Sequence, residues 1–483
     1  MKIEKTTTGL IIHNPDMMTK RKLLQYFSLV NPVREFFIYS GNDDSRPGLF
    51  GIEHDVVYVT SGFMTINDQY IRAMPSPSII QPKTPKRITL EMNRQPRSKL
   101  QEDCIAKMID PNNRHSKMTL ELKPGVGKTF IATYAISKLQ LKPLIVAPTT
   151  LLKNQWCEEF MDVGIPKNEI ATDIYDGPNK TVCVVTISAI ENALRDDFKG
   201  LMTAVDNAGY GIKVVDEAHL HLKGILKFDA ICNIQHNWYL SATLGRSDPA
   251  EDGILNRALS DADRFVGNPE YEEYQKEYVN VYFQDMYYFP SNKLCAEHFK
   301  FGSKGLIKAT YYRMLMDYKN GIPFIKNIIY MMKVARKVMT YEGKVLLLVP
   351  LIDIIDKVVL EMDQDPFFKQ YTYSGVDGSM PMSKRRAAME CDFILSTSLS
   401  MGTGVDVKNL ACVVNFDQYA SPIITEQIFG RLRDRGKETW YFDITDYVKQ
   451  ARMLTNWGRK RRSLIPYYPG AHSEIKQLPD IRS

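Results

Sequence analysis

No pair of cysteines in this sequence has the C-x-x-C spacing, and no Cys/His cluster has the spacing of a zinc site. The seven cysteines, Cys104, Cys157, Cys183, Cys232, Cys295, Cys391 and Cys412, are scattered. Several fall inside apolar runs, such as Cys183 in TVCVVT, and are expected as small buried hydrophobes in a reducing compartment. No run approaches the roughly 18 apolar residues of a membrane span, and MKIEKTTTGLIIHN lacks the apolar stretch of a signal peptide. The expectation is a cytoplasmic, soluble chain with no membrane contact. A large excess of one charge is also missing: 62 Lys and Arg face 56 Asp and Glu, a formal net charge of +6. That balance excludes a polycation and leaves nucleic-acid binding open. Low-complexity segments and repeats are absent.

What is present is alternation. Residues 1–95 read as a small α+β module ending in the Pro-rich MPSPSIIQPKTPKR (74–87), expected as a linker. From residue 96, short Val/Ile/Leu runs alternate with helical stretches, as buried parallel strands do. The expected strands are 117–122, 143–148, 181–186, 212–216 and 238–242. After a polar, Tyr-rich stretch the pattern resumes with 344–350, 392–397, 412–416 and 440–444. Two such arrays predict an α/β chain with two parallel-sheet domains in tandem, 96–265 and 266–447. A tail, 448–483, follows and carries the basic run Arg459–Arg462. With Trp457, Tyr467 and Tyr468 nearby, the run has two readings, a phosphate- and base-binding patch or a solvated face.

Leu122-Lys-Pro-Gly-Val-Gly-Lys-Thr129 follows an expected strand and opens an expected helix, the setting of a phosphate loop. The backbone of Pro124, Gly125, Val126 and Gly127 would curl around phosphates, Lys128 would bridge the β- and γ-phosphates, and the Thr129 hydroxyl would hold Mg²⁺. The generic pattern has Gly where this chain has Leu122. Ile212-Lys-Val-Val-Asp-Glu-Ala-His219, about 90 residues on, runs a strand into two carboxylates. Asp216 would hold Mg²⁺, and Glu217 would orient or deprotonate an attacking water.

This second segment is the DEAH box of the superfamily 2 helicases, which the chain resembles from residue 96 to about 447. The resemblance implies two RecA-like domains, ATP and Mg²⁺ as cofactors, and a nucleic-acid strand as partner of a monomeric motor. It places Gln101 at the adenine edge. In Ala147-Pro-Thr-Thr-Leu-Leu-Lys-Asn-Gln-Trp156 it places Pro148, Thr149 and Thr150 on nucleic-acid phosphates, with Thr186 of Val-Thr-Ile-Ser beside them. Leu240-Ser-Ala-Thr-Leu-Gly-Arg-Ser-Asp248 resembles the motif that links the ATP site to the strand-binding face. In the second half, Thr397 would approach nucleic acid and Asp406 the nucleotide. Glu426-Gln-Ile-Phe-Gly-Arg-Leu-Arg433 would supply Gln427 and two arginine fingers, Arg431 and Arg433. The usual spacing puts the second arginine at 434, which here is Asp434, so Arg433 takes the role by a one-residue shift and Arg435 is its competitor. The single compact chain and the Leu-Ser-Ala-Thr-x-x-Arg-x-Asp element are most similar to the UvsW-type phage helicases, relatives of the XPB-like and poxvirus transcript-release enzymes. That resemblance implies unwinding or branch migration of forked DNA in recombination and repair. RNA as substrate, and ATP-switched assembly without unwinding, stay open as alternatives.

Overall fold

The computed structural model describes residues 1–30, 33–40, 56–113, 116–123, 125–242, 244–245, 248–268, 270–271, 279–287, 301–302, 305–317, 322–377, 380–398, 407–419, 422–432, 437–447, 452–465 and 471–482. The chain divides into two compact units, Met1–Glu273 and Tyr274–Ser483.

In the first unit seven strands form one all-parallel sheet, in the order Ile170–Ala171, Val182–Thr186, Pro143–Ala147, Ile212–Val215, His236–Ser241, Lys117–Glu121, Asp263–Val266. PLIVA and VCVV are buried at every position because helices cover both faces, which is why they lack polar alternation. Lys117–Glu121 and Pro143–Ala147 are consecutive in the chain, yet Ile212–Val215 and His236–Ser241 lie between them in the sheet. The loops after these strands therefore gather at one carboxyl edge, where open α/β sheets bind ligands. Buried lysines interrupt the apolar interior, Lys213 among them. Lys213 Nζ lies 2.5 Å from Asp229 Oδ1, and the Tyr239 hydroxyl donates to Asp229 Oδ2 at 2.8 Å.

The N-terminal module was expected to stand apart from the first parallel sheet, and it does not. Its mixed five-stranded sheet shares one continuous core with that domain: Leu10, Ile12, Phe27, Val57 and Phe63 join Phe198, Leu222, Ile225, Phe228 and Leu255. The Thr6 hydroxyl donates to Cys232 O and the Thr8 hydroxyl to Asp229 O, both at 2.8 Å. A Cβ placed on Gly9 would lie 2.2 Å from Ala230 O, so backbone meets backbone there. The Pro-rich segment is no free linker either. Ser78–Ile79 pairs with the Lys2–Lys5 strand, Lys86 N–H donates to Gly209 O at 2.8 Å, and Lys142 N–H donates to Lys86 O at 3.0 Å.

The second unit carries the other parallel sheet, ordered Tyr373–Val376, Phe393–Thr397, Lys344–Val349, Leu410–Asn415, Thr439–Asp446, Val279–Tyr287, Ala471–Gln477, with Ile481–Arg482 also on Val279–Tyr287. Residues expected as a basic tail thus supply a helix, Arg452–Leu464, and the sheet's last strands. The helix turns Arg461 inward until it is fully buried. It makes an ion pair with Asp443 and donates to Tyr419 O at 2.9 Å. Arg462 pairs with Asp443 at 3.0 Å and Asp285 at 2.6 Å. Half of the basic run is therefore internal, where phosphate contact is closed to it; Arg459 and Lys460 are exposed. Tyr467 and Tyr468 lie outside the described residues.

Candidate active site

Glycine fixes the loop at the end of the Lys117–Glu121 strand. Gly125 and Gly127 have φ of +82° and +86°, and Gly127 caps the Lys128–Leu139 helix. Left-handed backbone here turns successive N–H groups toward one point, which suits an anion. Leu122, the departure from the generic pattern, is fully buried, and its N–H donates to Ser241 O at 2.9 Å. Its side chain belongs to the core rather than to the loop. Arg97 donates to Gly125 O at 2.9 Å. Gln101, expected at the adenine edge, is 2% exposed, and both ends of its amide are already bonded. Nε2 donates to Val126 O at 2.8 Å, and Oε1 accepts the Arg97 N–H at 2.9 Å. In this geometry it braces the loop from beneath. Pro124 lies outside the described residues.

Lys128 Nζ reaches back over the loop, 3.2 Å from Leu122 O and 3.5 Å from Glu217 Oε1. Thr129 follows it in the first helical turn. Asp216 and Glu217 emerge from Ile212–Val215, and the turn holds Glu217 at φ +45°, an uncommon conformation for a side-chain-bearing residue. Asp216 Oδ1 accepts the Glu217 N–H at 2.9 Å, and Oδ2 accepts the indole N–H of Trp156 at 2.9 Å. Burial, together with the neighbouring Glu217 charge, pushes the Asp216 carboxyl up to about 6; the Trp156 bond and Lys128 oppose this. Glu217 Oε2 is buried without a hydrogen bond, 3.4 Å from His219 Nδ1. That nitrogen lies 2.8 Å from Ser241 Oγ, joining the acidic box to the start of Leu-Ser-Ala-Thr.

This donor set suits Mg²⁺. A hard cation prefers carboxylate oxygen, and its charge beside Asp216 would offset the crowding of that carboxyl by Glu217.

The first unit's expected nucleic-acid residues lie on the same edge. Thr149 caps the Thr150–Asp162 helix, its Oγ1 accepting Leu152 N–H, and Thr186 caps Ile187–Asp196, its Oγ1 accepting Ala189 N–H, both at 3.3 Å. Their strands are neighbours, with Ala147 paired to Thr186. Two helix N-termini thus start side by side, each with a hydroxyl proton still able to donate to an anion. Pro148 is buried behind them, and Thr150 is exposed.

In the second unit Thr397 ends its strand, buried and paired in register with Val349. Gln427 lies on the Pro422–Phe429 helix, and Arg431 follows, its N–H donating to Ile428 O at 3.1 Å. Asp406, Arg433, Asp434 and Arg435 lie outside the described residues. The structure brings Lys128, Asp216 and Glu217 together, and adds Trp156, His219 and Ser241 to them. Trp156 and Ser241 stood inside quoted motifs without a role, since nothing in their spacing tells which atom they touch.

Family comparisons agree with this geometry. Residues 94–246 match the type III restriction enzyme res subunit family, and residues 327–435 match the helicase conserved C-terminal domain. The chain belongs to the superfamily 2 helicases. Among curated proteins, a putative DNA 3'-5' helicase Rad25 of Halobacterium salinarum is 30% identical over 160 residues, 31% of this chain and 26% of that protein. Its namesake in Haloarcula marismortui is 30% identical over 133 residues, 27% and 21% respectively. This superfamily 2 chain therefore aligns with about a quarter of the length of the curated relatives it matches. Of solved structures, S. cerevisiae Dbp5 bound to RNA and ADP BeF3 is similar with TM-score 0.49 and 14% identity, covering 79% of this chain and 90% of that one. T4 UvsW gives TM-score 0.33 and 15% identity, with 99% and 100% covered. At these values the likeness adds nothing to the topology described above.

Proposed function

We propose that this superfamily 2 chain is an ATP-dependent DNA translocase that unwinds or branch-migrates DNA. The observation supporting this reading is a single sheet edge that holds the loop cation Lys128, the carboxyl pair Asp216 and Glu217, and two capped helix N-termini. Lys128 stabilises charge gathering on the γ-phosphate, and Glu217 orients the attacking water and takes its proton. Thr129 and Asp216 would hold Mg²⁺, which when bound neutralises the β- and γ-phosphate oxygens. Arg431 and Arg433 take the transition-state role that their motif implies. The helix starts at Thr149 and Thr186 grip strand phosphates, and Thr397 of the second unit takes the nucleic-acid role that its motif implies. DNA is favoured because the Rad25 relatives are named as DNA helicases, and the UvsW-type sequence resemblance suggests recombination and repair as the setting.

Strand displacement measured with ATP on matched DNA forks and RNA duplexes tests the reading. Displacement of the DNA forks, lost in Lys128→Ala, is expected. Displacement of RNA alone would make the chain an RNA helicase. ATP turnover with neither substrate opened would make it a switch.

A further inference from the structure

Trp156 joins two parts of this site that the motifs treat separately. It sits in the second turn of Thr150–Asp162, seven residues past the capping Thr149, so about 10 Å along the helix from the expected phosphate grip. Its side chain is fully buried, tilted against Phe160 with ring centroids 6.1 Å apart. The indole N–H, a donor with no acceptor function, ends on Asp216 Oδ2 at 2.9 Å. The other carboxylate oxygen is held by the Glu217 N–H. The carboxylate offered to the metal is thus fixed on one side by its own turn and on the other by the helix whose start faces nucleic acid.

A close-packed helix moves as a unit, and hydrogen bonds weaken steeply when donor and acceptor are misaligned. An anion bound at the Thr149 end would act on the same helix that carries the indole, and the indole in turn holds one oxygen of Asp216. We propose that Trp156 is a positioning residue that couples nucleic-acid occupancy of this helix to Mg²⁺ affinity at Asp216. The proposal rests on the function assigned above. Linkage makes the effect reciprocal: the factor by which a DNA strand tightens Mg²⁺ is the factor by which Mg²⁺ tightens the strand.

The test uses the full chain, Mg²⁺, a non-hydrolysable ATP analogue and a short single-stranded oligodeoxynucleotide. Mg²⁺ affinity for the analogue-bound protein is titrated by calorimetry with and without the oligonucleotide. A three- to tenfold tightening is expected in the wild type, falling to near onefold in Trp156→Phe, which keeps an aromatic ring and removes the donor. Phe160→Leu perturbs the same packing without touching the bond, and should lower Tm yet keep the tightening. If Phe160→Leu abolishes it equally, packing rather than the hydrogen bond carries the coupling and the proposal fails. It also fails if Trp156→Phe keeps the wild-type factor. The wild-type indole N–H resonance of Trp156 gives a readout independent of any variant's folding. It should shift on adding Mg²⁺ with the analogue and again on adding the oligonucleotide, and a resonance that ignores both overturns the coupling. A wild type that binds neither analogue nor oligonucleotide overturns the assigned function itself, and the two failures are thereby distinct.

Discussion

Gly127 stands at φ +86°, and a methyl group added to it would lie 2.9 Å from Gln101 Nε2. Both the backbone and the brace beneath the loop resist any larger residue. Gly127→Ala should weaken nucleotide binding at least tenfold while Tm stays within a few degrees, measured by analogue titration and thermal melting. Lys128→Ala should reduce ATP turnover by at least two orders of magnitude, since a preorganised charge at a developing one is worth about 3–4 kcal/mol. Glu217→Gln should bind ATP with near wild-type affinity and hydrolyse it at a small fraction of the rate; collapse of ATP affinity instead would make Glu217 structural or a ligand. The gathering of these three residues at one sheet edge was legible in the sequence because each lies at a fixed offset from a strand end. The Trp156–Asp216 bond, across 60 positions, was not: it depends on two strands being neighbours, which the chain order hides. The bracing bonds of Gln101 were hidden for a related reason, since a glutamine near a loop can serve a ligand, the loop or both.

At the scale of elements, the buried Asp443–Arg461–Arg462 group ties the last helix to the second sheet. Burial alone would raise the Asp443 carboxyl, but the two guanidiniums outweigh it and hold it below the usual carboxylate range. A carboxyl lowered in the folded state contributes stability above its unfolded value of about 4, and that contribution is lost as pH falls through the lowered one. Arg461→Met should destabilise the unit by about 3 kcal/mol, the lower end for a broken buried pair, because Asp443 loses one of its two cationic partners and keeps Arg462. Acid unfolding should then begin at higher pH than in the wild type. Adding Asp443→Leu should recover part of the loss in urea melts; a double variant weaker than the single would show that the pair is a net stabiliser beyond its mutual compensation. Strands such as Pro143–Ala147 and Lys344–Val349 announced themselves as unbroken apolar runs. Ala471–Gln477, AHSEIKQ, could not: it carries one large apolar residue, and its pairing is dictated by Val279–Tyr287 beside it. Val279–Tyr287 was itself masked by polar residues at its half-buried positions.

Over the whole molecule, the tandem α/β architecture followed from the alternation of runs, whereas the fusion of the N-terminal module with the first sheet did not. Strands such as Val56–Thr60, with Val57 and Val59 inside, read the same whether that face closes on their own module or on another domain's helices. The shared core predicts that Gly9→Ala, pushed against the Ala230 carbonyl, and Gly62→Ala, against that of Arg257, each lower Tm by several degrees, since overpacking against backbone costs about 1–3 kcal/mol. Removing residues 1–79 should leave an insoluble chain, scored by the soluble fraction on expression; a soluble, cooperatively melting remainder would show that the module is separable after all.

The hydrogen bond from Thr6 to Cys232 spans 226 positions. During synthesis the first strands leave the ribosome long before the helix they must clasp exists. At about 5–20 residues per second, that interval is roughly 10–45 s, in which Leu10, Ile12 and Val57 lack their later partners Ile225 and Phe228. Those strands therefore show apolar surface on the nascent chain until that helix emerges.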